Sequence, residues 1–483
     1  MKKIKLLVLL SCMITLSGCK DFLELEPPTQ IPNESAIKTA KDLETVLNGM
    51  YDRMQGSNVC GGNASGYSDL IADDALVNIS GLSNFGTNEI YFGNTSVQIG
   101  SLRDMWRSSY AAINSANNII YAIENNRVSD PLLTDVMRSK MKAQALFARA
   151  FLHLQLCHFW ALPYNINNIG ANTQDGIVLR TEPTLTGPEG TPKARATVEE
   201  VYKQVIQDLE NAYTLFQSGA QLSSKTQSSA MAAQALLARV YLLKGDYEKA
   251  VQSATMVINS GAYTLMNKDN MLASYQSSGE NPFTQGNLPE VIWQIVNIAS
   301  DNSNAGVGFY RRSAGSPFYT SSLNPVPPYS LYTTSPNDTD YRKLLLYEAA
   351  GPFVGTKKYT PLTGSAVSPN IRLIALPEMY LIVAEADVRK SNSVTALADS
   401  CLNKLLKRVK QPYVPFSTND VTQFLDKVIL ERRLELAFEN MDRYTTIRRL
   451  GLPLRDGSNN YEKYLFKIPQ EEIAGNSSIN QNP

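Results

Sequence analysis

The sequence predicts a mainly α-helical protein in which tetratricopeptide-like helix pairs form a scaffold and a long loop-rich insertion carries a few short strands. Three observations predict it. Residues 145–152 are echoed at 235–242, with identity at five of eight positions: Ala145/Ala235, Leu146/Leu236, Ala148/Ala238, Arg149/Arg239 and Leu152/Leu242. Several further segments carry apolar residues at helical spacing. Between residues 259 and 372 that period is lost, and Gly, Ser, Asn and Pro become frequent.

The second copy of the echo continues with Gly245, Tyr247, Ala250 and Ala254. This is the spacing of a helix, a Gly turn and a partner helix, where small residues permit close approach and Tyr241 and Tyr247 fill the gap between repeats. A weaker third echo runs over 380–388 with Ala384 and Ala386, followed by a helix around 396–406. Stacked pairs bury faces that one pair cannot cover, hence a scaffold. Upstream, 42–51 reads as a helix ending in a Gly-rich loop at 56–66. In 102–123, Trp106, Tyr110, Ile113, Ile120 and Ile123 share one stripe, which makes Trp106 a core residue. A final helix is predicted over 424–450, with Val428, Leu434, Ala437, Phe438 and Met441 on its buried face. Within the insertion, 291–296 is an apolar run of strand length, and Trp293 belongs to the core.

The N-terminus reads as an address. Lys2, Lys3 and Lys5 precede an apolar run at 6–16 that is too short to cross a ~30 Å hydrocarbon core as a helix. Leu16, Ser17, Gly18 and Cys19 close it in the manner of a bacterial lipobox. Residues 1–18 are thus a lipoprotein signal peptide, and Cys19 becomes the lipidated N-terminus of a single domain spanning 19–483. Three acyl chains, at ~0.8 kcal/mol per buried methylene, would anchor the protein without spanning the membrane. Lys20 and Asp21, with Glu24 and Glu26 close by, resemble the charged signal that sends such lipoproteins to the cell exterior.

Loss of the signal peptide leaves 42 basic against 45 acidic residues, a net charge near −3 that argues against a nucleic-acid partner. Of five cysteines, Cys60, Cys157 and Cys401 remain, too few for a disulfide framework, and the last two sit in apolar helical patterns. The only histidines, His153 and His158, lie five apart on an apolar helix and cannot share a metal as an i, i+4 pair would. Zinc hydrolysis and a Ser-His-Asp triad are both disfavoured, and no metal, cofactor or catalytic residue is assigned.

With these residues in place the chain resembles the SusD/RagB family along nearly its whole length. Cys19, Lys20, Asp21, Phe22 and Leu23, followed by the helix at 43–51, are similar to the family's opening. Glu431, Arg432, Arg433, Leu434, Glu435, Leu436, Ala437, Phe438 and Glu439, then Arg448, Arg449, Leu450 and Gly451, resemble its signature helix. Ile468 and Pro469 through to Asn480, Gln481, Asn482 and Pro483 resemble its terminal motif. Where the family typically has Arg-Trp-x-Asp-Leu, this chain has Arg443, Tyr444, Thr445, Thr446 and Ile447, so the aspartate is missing. The charged helix itself reads as structural, with Arg–Glu pairs at i, i+3 and i+4 along one face.

The resemblance implies four helix pairs, a binding surface on loops outside them, and a partner, a SusC-like TonB-dependent transporter in the outer membrane. It implies a surface-exposed, lipid-anchored protein that captures an oligosaccharide or polysaccharide; a peptide is the alternative ligand. A glycoside hydrolase needs two carboxylates a defined distance apart, and Asp69, Asp73 and Asp74 are the nominees. Acids in a polar loop are most often solvated, and binding is preferred to catalysis. Sugar rings pack C–H faces on aromatic planes and offer hydroxyls to fixed polar groups. Two stretches mix such residues, and from them the expected ligand contacts are Tyr67, Asp73, Phe85 and Tyr91, then Phe309, Tyr310, Arg311, Tyr319 and Tyr329.

Overall fold

The computed structural model describes residues 37–76, 86–165, 170–184, 192–218, 225–276, 288–302, 321–322, 329–332, 334–335, 338–350, 353–359 and 369–483. The N-terminal half holds α1 (Ala40–Gln55), α2 (Asn63–Ile71), α3 (Thr87–Phe92), α4 (Gly100–Glu124), α5 (Asp135–Trp160) and α6 (Val198–Gln217). Then come α7 (Ala230–Lys244), α8 (Tyr247–Asn259) and α9 (Lys268–Gln276), strands β1 (Val291–Ile295), β2 (Ser321–Ser322), β3 (Thr334–Ser335) and β4 (Asp338–Asp340), and α10 (Tyr341–Leu346). Strands β5 (Tyr347–Ala350), β6 (Phe353–Thr356) and β7 (Ile371–Ala375) lead to α11 (Leu376–Ser391), α12 (Ala396–Val409) and β8 (Lys410–Gln411). The chain closes with α13 (Val421–Leu436), α14 (Asp442–Leu450) and α15 (Gln470–Gly475).

The helical body is built as the repeat predicts. Four pairs, α1 with α4, α5 with α6, α7 with α8 and α11 with α12, pack side by side, and each pair also packs on the next. The three echoing segments fall on α5, α7 and α11. These helices are apolar almost all round and form the buried spine: residues 143–160, 232–238 and 376–388 are all buried. Their amphipathic partners α4, α6, α8 and α12 bury one face each. The repeated arginine does the same job twice. Arg149 reaches Asp208 of α6 at 2.7 and 2.8 Å, and Arg239 reaches Glu378 of α11 at 2.7 Å. Tyr241 is buried and Tyr247 half-buried against the core, while Gly245 turns α7 into α8 with φ 82°, a left-handed conformation that favours glycine.

Helix starts are written in the sequence. Thr39 and Thr197 make capping boxes with Asp42 and Glu200. Thr134, Ser229, Thr395 and Asp420 accept from the backbone N–H three residues on. Each such cap is worth about 1 kcal/mol.

The predicted strand is β1, antiparallel to β7 and buried at every position. Trp293 lies edge-on to Phe147 (4.7 Å) and Phe151 (5.1 Å) of α5, and Trp106 is 3% exposed, so both are core residues. The other strands form two small sheets, β2-β6-β5 and β3-β4-β8. Cys60, Cys157 and Cys401 are all free and buried.

Two expectations are corrected. The 56–66 loop is shorter than predicted, because α2 begins at Asn63. The single helix over 424–450 is two, α13 and α14, broken where Phe438, Asn440 and Met441 take left-handed φ of 65°, 51° and 60°. No Gly or Pro marks that break. Tertiary donors make it: Lys358 Nζ donates to the carbonyls of Glu435 (2.9 Å) and Ala437 (3.0 Å), and Tyr359 donates to that of Phe438 (2.5 Å). Helix-end carbonyls without an internal partner must find one elsewhere, and here the insertion supplies it.

Candidate functional site

The signature helix α13 organises the region outside the helix pairs. Its charges do not pair along one face at i, i+3 and i+4 as expected. Instead, successive side chains reach different elements. Glu431 and Glu435 accept from Arg342 of α10 (2.6 and 2.9 Å), and Arg342 is itself fully buried and held by Asp340 (2.7 Å). Arg432 turns to Asp442 of α14 (2.5 Å) and, more distantly, to Glu378 of α11 (3.6 Å). Glu435 also takes Arg408 of α12, which reaches Glu290 (2.8 Å) beside β1. Just past the helix, Glu439 accepts from Lys358 (2.5 Å) and Tyr275 (2.9 Å), and Arg372 lies 3.4 Å away. Buried charges cost least when paired, and these pairs tie the insertion to the helical body.

Arg433 faces the other way. Its Nε donates to Asp74 (2.8 Å) and its Nη2 lies 2.9 Å from Asp73, while Arg443 grips Asp73 through two bonds (2.7 and 3.0 Å). Burial works against the Asp73 carboxylate, yet Arg443, Arg433 and Arg455 outweigh it and hold its pKa below the ordinary value. Arg455 donates to the carbonyls of Leu70 and Ala75, and its guanidinium sits 4.0 Å from the centre of the Tyr91 ring. Tyr91 is half-buried and meets Phe92 edge-on at 5.0 Å; Phe92 is 48% exposed.

The second stretch arrives at the same helix. Tyr332 donates to the carbonyl of Leu434 (2.6 Å), the residue after Arg433, and shares a hydroxyl contact with Tyr347 (3.1 Å). Tyr329 packs on Tyr347 with ring centres 5.7 Å apart, and Lys343 lies over the Tyr329 ring at 4.6 Å. The structure therefore brings Asp73, Tyr91 and Tyr329, three of the expected ligand contacts, around one end of α13. Tyr67 is corrected: it is 5% exposed, edge-on to Phe466 at 6.3 Å, and its ring offers no open face to a ligand. Phe85, Phe309, Tyr310, Arg311 and Tyr319, like Cys19, lie outside the described residues.

The hydrolase nominees are occupied. Asp74 is fully buried against Arg433, Asp73 is held by two arginines, and Asp69 is 2% exposed. Burial pushes His153 and His158 down to about 3, so both imidazoles are neutral. Among the described residues no group of three or more His, Cys, Asp or Glu is placed to hold a metal ion.

The ends of the motif also fit. Tyr444, where the family typically has Trp, stacks on Phe159 at 5.8 Å. Asn482 donates to the carbonyls of Trp160 (3.0 Å) and Phe466 (2.8 Å) and accepts from Arg195 (2.8 Å), pinning the C-terminus to α5. Arg342, Lys358, Arg408 and Glu290 were not picked out from the sequence. Apart from Asp340, two positions before Arg342, the charged partners cited for them lie 27 to 118 positions away, so no local spacing announces them.

Comparison with known proteins agrees with this architecture. Residues 21–242 match a family profile described as "Starch-binding associating with outer membrane", and residues 273–462 match that of the SusD family. SusD-like protein P2 of Formosa agariphila is 26% identical, over 100% of this chain and 99% of its own length. Among solved structures, a SusD superfamily protein from Bacteroides thetaiotaomicron superposes with a TM-score of 0.78 at 26% identity, covering 92% of this chain and 100% of that one. A provisionally named sugar-binding protein from Bacteroides vulgatus superposes with a TM-score of 0.75 at 26% identity, covering 93% and 99%. Profile matches at both ends, full-length relatives and the shared fold make one conclusion: the chain belongs to the SusD/RagB family.

Proposed function

We propose that this protein is a nutrient-capture lipoprotein of the outer membrane, anchored through Cys19, facing the cell exterior, that binds a glycan and passes it to a SusC-like TonB-dependent transporter. The observation that carries the reading is that two aromatic and polar stretches, around Tyr91 and Tyr329, are each tied to the last turn of α13, one through Arg433 and the other through Leu434. That turn lies outside the four helix pairs, where the family resemblance expects binding. Ligand contacts there combine ring faces with fixed polar groups, the mixture that sugars require.

Membership of a family described as starch-binding and outer-membrane associated supports the compartment, and a neighbour named for sugar binding supports the ligand class. Pairing of Asp73 and Asp74 with arginines favours binding over hydrolysis, because a catalytic acid or nucleophile must be free to reach substrate. Among the described residues no helix is long and apolar enough to cross a membrane.

Mild detergent extraction of native membranes should co-purify a large β-barrel with this protein, and the purified complex should retain an oligosaccharide on a glycan array. Recovery of monomer alone, under conditions that keep other membrane complexes intact, would refute the partnership. Retention of peptides and no glycan would move the ligand class to peptide.

A further inference from the structure

A groove of about 380 Å³ lies between α1 and α5, away from the α13 end, on the helical body itself. Its floor is aliphatic, from Leu47, Met137 and Met141, and Leu132, 76% exposed, stands on its rim. Pockets of about 300 to 1,000 Å³ with an apolar floor and a few convergent polar groups are the usual form of a small-ligand site.

The polar groups are unequal. Lys41 is matched by Glu44 at 2.9 Å. Lys140, partly buried in the same groove, has no carboxylate partner among the described residues, and burial lowers its pKa. Gln144 is 1% exposed, spends its carbonyl oxygen on Tyr51 (3.0 Å), and its Nε2 donates to no acceptor among the described residues. The side-chain amides of Asn48, exposed, and Gln227, half-buried, also line the groove. An amide donor and an ammonium that face one cavity, neither matched among the described residues, point to a ligand that supplies acceptors and one negative charge.

Phosphate fits less well. A single lysine offers no bidentate fork, and the nearby N-terminus of α1 is spent: Asp130 takes the N–H of Ala40 (2.8 Å), and the Thr39–Asp42 capping box takes the next groups. A sugar acid fits better, because its carboxylate suits the ammonium, its hydroxyls suit amides that both donate and accept, and its C–H face suits an aliphatic floor.

We propose that the groove between α1 and α5 is a separate subsite for a carboxylate-bearing sugar residue, a uronic acid, held through Lys140. The inference rests on the glycan-capture reading and deepens it, adding a contact for acidic units of a chain.

The test is calorimetric titration of the full-length lipoprotein in detergent with digalacturonate, a neutral disaccharide of the same linkage, and an acetylated tripeptide with a free C-terminus. Digalacturonate is expected to bind, to be favoured over the neutral sugar, and to weaken as salt rises. Lys140→Met should weaken it by about tenfold, and Lys140→Arg should hold it within about threefold. An unchanged melting temperature for Lys140→Met would show that folding is intact. Equal binding of digalacturonate by Lys140→Met, or equally tight binding of the tripeptide, would overturn the proposal. If neutral oligosaccharides bind and digalacturonate does not, the subsite falls while capture stands; if no glycan binds, both fall.

Discussion

Arg433 and Asp74, 359 positions apart, meet through a 2.8 Å hydrogen bond in which the carboxylate is fully buried. This contact ties the end of the signature helix to the segment that follows α2, and it fixes the ground on which Asp73, Tyr91 and Arg455 are arranged.

Arg433→Met should therefore lower stability by about 3 kcal/mol, because it strands a buried carboxylate. Asp74→Asn on top of it removes that charge and should recover part of the loss. A double-mutant cycle by urea denaturation reads the coupling; additive losses would mean that the pair contributes nothing.

A second arginine cluster makes stability depend on acid. Burial works against the Glu385 carboxylate, but Arg449, with contacts at 2.7 and 2.9 Å, and Arg389 outweigh it and hold the pKa at about 2 instead of 4.5. A group whose folded pKa is depressed contributes stability above its unfolded value and loses it as pH falls toward the folded one. At neutral pH the contribution is about 3 kcal/mol, lost between about pH 5 and pH 2. Glu435, held at about 2 by Arg408 and Arg342 against burial, titrates over the same window. Thermal melts across that range should steepen toward acid, and Glu385→Gln should flatten part of the slope while lowering the neutral-pH plateau.

The tyrosines separate binding from packing. Tyr67→Ala should cost about 3 kcal/mol of stability, since it empties a core position against Phe466. Tyr91→Ala and Tyr329→Ala remove half-buried rings, so each should lower glycan affinity by roughly 0.5 to 2 kcal/mol with a small change in melting temperature. Paired calorimetry and thermal melts check this, and unchanged affinity in both variants would place the ligand elsewhere.

On the proposed reading, anchoring runs through Cys19. Cys19→Ala should yield an intact chain that no longer fractionates with the outer membrane, as judged by immunoblotting of membrane and soluble fractions. Retention of the variant in the membrane fraction would refute lipidation at that position.

The helical body was legible because its information is local. Apolar period, small residues at the pair contacts and the side chains that start each helix all lie within a few residues of one another. Trp106 and Trp293 are recognisable as core for the same reason, and the recurring Ala-Leu-x-Ala-Arg pattern marks the repeat. The break at Phe438 was not legible, because the donors that end α13, Lys358 and Tyr359, lie about 80 positions away and no Gly or Pro records their action.

By itself, the sequence determined the repeated helix pairs and the two stretches rich in aromatics. Only the tertiary structure decided which of those aromatics are core, as Tyr67 is, and which stand at a surface, as Tyr91 and Tyr329 do. Composition and period record whether a side chain prefers to leave water. Whether it succeeds depends on what the rest of the chain brings against it, and for the charges of α13 those partners come from the segment after α2 and from α10, α11, α12 and α14.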